Sequence, residues 1–144
     1  RRQTEPEARV EESAALRSSG VVTSMIDISD GLIGDLRHLC EESEVGARVD
    51  IGSIPVDPEI QAAISAGALI ENRSGTEYAI RGGEDFELLF TVERDGLEKL
   101  KASCPGLPFS VIGEMQSGSG KISLVAADGS EQSPDAFGFE HFGR

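Results

Sequence analysis

Basic residues are scarce in this chain. Lysine and arginine together number 13 against 26 aspartates and glutamates, and the formal net charge is -13. A nucleic-acid partner calls for a basic face, so this balance argues against that class. Phosphate substrates are not, because an acidic site holds them through a divalent cation. Cysteine is sparse too: Cys40 and Cys104 lie far apart and without metal-ligand spacing. Free thiols in a reducing cytoplasm are the expectation. No apolar run approaches the length of a membrane span, and no signal-peptide pattern opens the chain. A Walker P-loop, a nicotinamide-binding glycine fingerprint and a Ser-His-Asp order are all missing. So is an initiator methionine: the chain begins at Arg1, which suits a fragment, although processing would do the same.

What is present suits one core. The 144 residues are 38% hydrophobic and 27% charged, ordinary for a single globular domain spanning 1–144. "EARVEESAALRSSG" reads as a helix with Pro6 ahead of it and Gly20 as its stop. "VVTSMIDI" is β-branched and apolar, a strand. The period then changes: Leu32, Ile33, Leu36, Leu39 and Cys40 share one helical face, and Gly46 reads as a left-handed cap. A short strand "ARVDI", a proline-started helix in "PVDPEIQAAISAG" and a short helix ending at Gly82 follow.

In "EDFELLFTVE", Phe86, Leu88, Phe90 and Val92 alternate with polar residues, but Leu89 interrupts the polar row. A helix half covering that second face is the expectation. "DGLEKLKASC" is an amphipathic helix, while "PFSVIGEM" and "KISLVAA" are strands joined by a flexible "SGSG". "ADGS" signals a turn. The sum is an α+β layer fold, one mixed β-sheet packed by helices.

Two short stretches stand out chemically. In "MIDISDGL", Asp27 and Asp30 lie three positions apart around Ser29, where the strand gives way to the helix. One reading is local: Ser29 or Asp30 caps the helix and its carboxylate favours the helix dipole. That accounts for either residue but not for Asp27, which belongs to the strand end. The other reading uses all three. Two carboxylates across a sharp turn converge on a hard cation such as Mg²⁺, and the Ser29 hydroxyl and helix-start N–H groups meet a phosphate. Gly31 keeps the backbone open to close approach.

In "RGGEDFELLF", Gly82 and Gly83 end a helix, and Glu84 and Asp85 follow at a strand start. They are either solvated rim residues or, in the case of Glu84, an anchor for a ligand lying near the first site. His38 lies beside its helix's apolar stripe, and His141 has no partner visible in sequence. Phe137, Phe139 and Phe142 suit a tail packed on the sheet.

Taken together and in order, "MIDISDGL", "GARVDIGSIP", "GGEDFELLFTV", "VIGEM" and "GFEHF" resemble the thiamine-monophosphate kinases. The likeness is to their C-terminal domain, of the aminoimidazole-ribonucleotide-synthetase superfamily, and runs from about residue 21 to 142. It implies an enzyme that uses ATP and Mg²⁺ to convert thiamine monophosphate to thiamine diphosphate. By position it implies Asp27 and Asp30 as Mg²⁺ ligands, Ser29 as an ATP contact, and Glu84 and Phe139 as thiamine contacts. It further implies a cytoplasmic homodimer whose N-terminal ATP-binding domain is absent from this chain, so that this part alone is inactive. Two alternatives stay open: a stand-alone acidic ligand-binding module, and another superfamily enzyme acting on a phosphorylated substrate.

Overall fold

The structure, a computed structural model, describes residues 9–68, 74–82, 87–118 and 120–137. In chain order the elements are α1 (Val10–Ser18), β1 (Val22–Asp27), α2 (Leu32–Glu42), β2 (Val45–Asp50), α3 (Pro58–Ser65), α4 (Gly75–Arg81), β3 (Leu88–Val92), α5 (Leu97–Ser103), β4 (Gly113–Ser117), β5 (Ile122–Val125) and β6 (Glu131–Gln132). Among the described residues no helix is long and apolar enough to cross a membrane.

The α+β expectation of a mixed sheet packed by helices is met, although the described strands divide between two sheets. β1 and β3 form an antiparallel pair, while β4-β2-β5-β6 form a four-stranded sheet. That sheet is mixed, with β2 parallel to β5 and antiparallel to β4.

Apolar side chains gather in two clusters, one on each face of the β1–β3 pair. On one side Leu16 of α1 and Leu100 and Cys104 at α5 pack with Val21, against Met25, Leu88, Phe90 and Val92. The Phe90 and Phe109 rings meet edge to face with centroids 6.2 Å apart. On the other, Leu32, Ile33, Leu36, Leu39 and Cys40 of α2 join Ile80, Leu89, Ala47, Val49 and Leu124. Leu89 thus breaks the polar row because α2 covers that face. Each such aliphatic side chain, fully buried, contributes about 1.5–3 kcal/mol. Both cysteines are free and buried, and burial pushes the Cys40 thiol up, with Glu41 nearby adding to it.

One expectation at the end of α2 is corrected. Gly46 is no helix cap; it lies inside β2. The left-handed position belongs to Glu44, at φ 52°. Gly46 is there because a Cβ would stand 2.7 Å from the Lys121 carbonyl oxygen, the same oxygen that accepts the Ala47 N–H at 2.9 Å. β4 also starts later than "PFSVIGEM" suggests, at Gly113. The "ADGS" turn forms as expected, with Asp128 Oδ1 accepting the Ser130 N–H and hydroxyl at 2.9 and 2.7 Å. These bonds hold the Asp128 carboxyl below its usual range.

Candidate functional site

The sequence 28–31 connects β1 to α2 by a route that capping does not explain. Gly31 is the N-cap of α2, with φ 97° and ψ 153° and no side-chain cap. Those angles are open in practice only to glycine. At α3 and α4 helix caps are supplied in the ordinary way. Asp57 accepts the Glu59 N–H at α3, and Ser74 and Glu77 form a reciprocal capping box at α4.

At α2 the work falls to Asp35, one turn into the helix. Its carboxylate is only 2% exposed, and Oδ2 accepts the backbone N–H of Ser29 at 2.9 Å and of Asp30 at 3.1 Å. A buried carboxylate needs such donors, and the loop needs the acceptor. The amides of Ser29 and Asp30 therefore turn inward, and their side chains face out. Asp27, Ser29 and Asp30 are all exposed. Among the described residues, no hydrogen bond occupies the Asp27 or Asp30 carboxylate.

Asp30 does not stand alone. Carboxylate oxygens of Asp30 and Asp35 and a ring nitrogen of His38 all lie within 4.8 Å of one another. Asp27 is outside that group. Two carboxylates this close repel unless a cation lies between them. The sequence reading missed Asp35, although its signal was available: a carboxylate set within the Leu32–Leu36–Leu39 stripe has to satisfy something inside. His38 is exposed, but it follows Asp35 by three positions and so sits on the same helical face.

The second motif adjoins the first through the sheet. Asp27 of β1 pairs with Leu88 of β3, and the Ile28 N–H donates to the Glu87 carbonyl at 2.8 Å. Glu87 follows Glu84 by three residues in sequence. Glu84 itself, with Gly83, Asp85 and Phe86, lies outside the described residues, as do Phe139, His141 and Phe142. A separate open cleft of about 610 Å³ is lined by Arg37, Glu41, Lys121, Ser123, Gln132 and Asp135 among others, but by none of the predicted site residues.

Residues 2–125 match the family "AIR synthase related protein, C-terminal domain", and the chain belongs to that family. It is 33% identical to the thiamine-monophosphate kinase of Escherichia coli strain K12, over 99% of this chain and 42% of that protein. A solved structure described as AaThiL complexed with AMPPCP and TMP superposes with a TM-score of 0.70 at 28% identity, covering 92% of this chain and 38% of that one. The hydrogenase maturation protein HypE of E. coli shares the fold, with a TM-score of 0.67 at 19% identity over 88% of this chain and 39% of its own. The chain thus spans less than half the length of these relatives.

Proposed function

We propose that this chain is the C-terminal part of an ATP-dependent kinase that phosphorylates thiamine monophosphate to thiamine diphosphate. The observation that carries the proposal is the β1–α2 turn: Asp35 secures its backbone at Ser29 and Asp30, and the side chains of Asp27, Ser29 and Asp30 are exposed. The likeness to thiamine-monophosphate kinases over 99% of the chain supplies the substrate class, and the relative complexed with AMPPCP and TMP supports a nucleotide and a phosphorylated acceptor.

The donor set suits Mg²⁺, which takes one or two carboxylates and completes its shell with water and phosphate oxygens. Asp27 and Asp30 would hold it. When bound, Mg²⁺ supplies neutralisation of the charge on the reacting phosphates. Ser29 directs its hydroxyl to an ATP phosphate, and Glu84 and Phe139 receive the thiamine moiety. The acceptor is itself a phosphate and needs little deprotonation, so no general base is required of this chain. Positioning and electrostatics carry the reaction. Nucleotide contacts and further carboxylates come from an N-terminal domain, through which the full-length protein forms a cytoplasmic homodimer.

The test is a coupled ADP-release assay on the full-length protein with ATP, Mg²⁺ and thiamine monophosphate. Turnover dependent on all three is expected, and none from residues 1–144 alone. Turnover with a different phosphorylated acceptor would move the protein to another superfamily activity. Ligand binding without ATP turnover in the full-length protein would leave only a binding module.

A further inference from the structure

Arg9 stands at the N-cap of α1, and its guanidinium meets the residue just ahead of β3. Nη2 donates to Glu87 Oε1 at 2.8 Å, and Nη1 to Glu12 Oε1 at 3.0 Å. The Glu87 contact joins residues 78 positions apart. Glu87 is the residue whose carbonyl accepts the Ile28 N–H, the last backbone rung before the β1–α2 turn. One residue is thus held by its side chain to α1 and by its backbone to the turn.

We propose that Arg9 is a positioning residue for the Asp27–Asp30 turn, acting through Glu87. The proposal rests on the kinase reading only for what the turn binds. Asp35 fixes the turn from the α2 side at Ser29 and Asp30. The Glu87 carbonyl fixes it from the β3 side at Ile28, next to the Asp27–Leu88 rung, and the Arg9 contact ties the Glu87 side chain to α1. A charged, hydrogen-bonded arginine suits that duty better than a lysine, because its planar fork meets Glu12 and Glu87 at once. The guanidinium is held above its ordinary value, first by the Glu87 hydrogen bond.

The experiment uses the full-length protein and reads two quantities. Hydrogen exchange over peptides spanning residues 22–30 should accelerate by about two- to fivefold in Arg9→Met, the size a half-exposed ion pair supports, while β2 and β5 peptides stay unchanged. The Mg²⁺ concentration for half-maximal turnover should rise several-fold in the same variant, with Glu12→Gln at wild-type values for both readouts. Arg9→Met and Glu87→Met should be non-additive, the double variant changing by less than the sum of the two single variants. If Arg9→Met fails to fold, Arg9→Lys and Glu87→Gln carry the same comparison, with smaller changes in the same peptides. Unchanged exchange across 22–30, or additive effects in the double variant, would overturn the role of Arg9. Absence of kinase activity in the wild type would overturn the functional reading instead, and the exchange data would still decide Arg9.

Discussion

Two kinds of helix start coexist in this molecule. At α3 and α4 the polar residues beside the first turn are engaged: Asp57 accepts the Glu59 N–H at 2.7 Å, and Ser74 accepts the Glu77 N–H at 3.2 Å. At α2 the same residue types, Ser29 and Asp30, stand in the same neighbourhood and cap nothing. A glycine takes the cap position, and a carboxylate from inside the helix satisfies the loop amides. Identical chemistry thus serves folding at two helices and is left available at the third. The difference lies in Asp35: a buried acceptor on the helix's inner face relieves the outer side chains of the task.

The largest effect that would sharpen this contrast is on turnover. Asp27→Asn and Asp30→Asn in the full-length protein should each lower kcat by about a hundredfold or more, with melting temperature nearly unchanged. An amide is a good cap but a poor Mg²⁺ ligand, so retained turnover in Asp30→Asn would erase the distinction between the helices. Next comes Asp35→Ala, which leaves two loop amides without an acceptor and should cost about 2–4 kcal/mol in denaturant titration. Asp35→Asn keeps an accepting oxygen and should recover most of that loss. Equal destabilisation by both variants would show that charge, rather than the acceptor, secures the turn.

Glu84→Gln should raise KM for thiamine monophosphate about tenfold while KM for ATP stays near wild type, since a charge-assisted contact is worth roughly 1.5–3 kcal/mol. A matching change in the ATP constant would move Glu84 into the metal cluster. The smallest effect belongs to the ordinary caps. Asp57→Ala and Ser74→Ala should each cost about 1 kcal/mol of stability and leave turnover per folded molecule intact. A loss of activity at either would mean that these helix starts are not merely structural.

Most elements were legible because their periods are local. The stripe Leu32, Ile33, Leu36, Leu39 and Cys40 marks α2, and the intruding Leu89 marks a strand covered on both faces. Gly46 was misread because a glycine shortly after a helix looks the same whether it caps the helix or admits a neighbouring strand. Only the Lys121 carbonyl, 75 residues away in sequence, decides between them. The division of the strands into two sheets is hidden for the same reason, since pairing partners are set by long-range contacts. Within the site, Asp27, Ser29 and Asp30 declared themselves by clustering. Asp35 did so only through its misfit on an apolar face, and Arg9 gave no signal at all, because its partner lies beyond any local pattern.

The antiparallel rung between Asp27 and Leu88 has a further consequence for how such a chain can vary. Everything from β2 through α4 is an excursion between two points that already touch. Residues can be gained or lost in the loops of that excursion, though not within β2 or around Ile80, whose side chains fill the same core, without moving the end of β1 relative to the start of β3. A single deletion inside β3 is another matter: it would turn Leu89 toward α1 and α5 and Phe90 toward α2, exchanging the contents of both cores. Loop length between the two motifs is therefore the tolerant variable, and the parity of the strands that border the cores is the intolerant one.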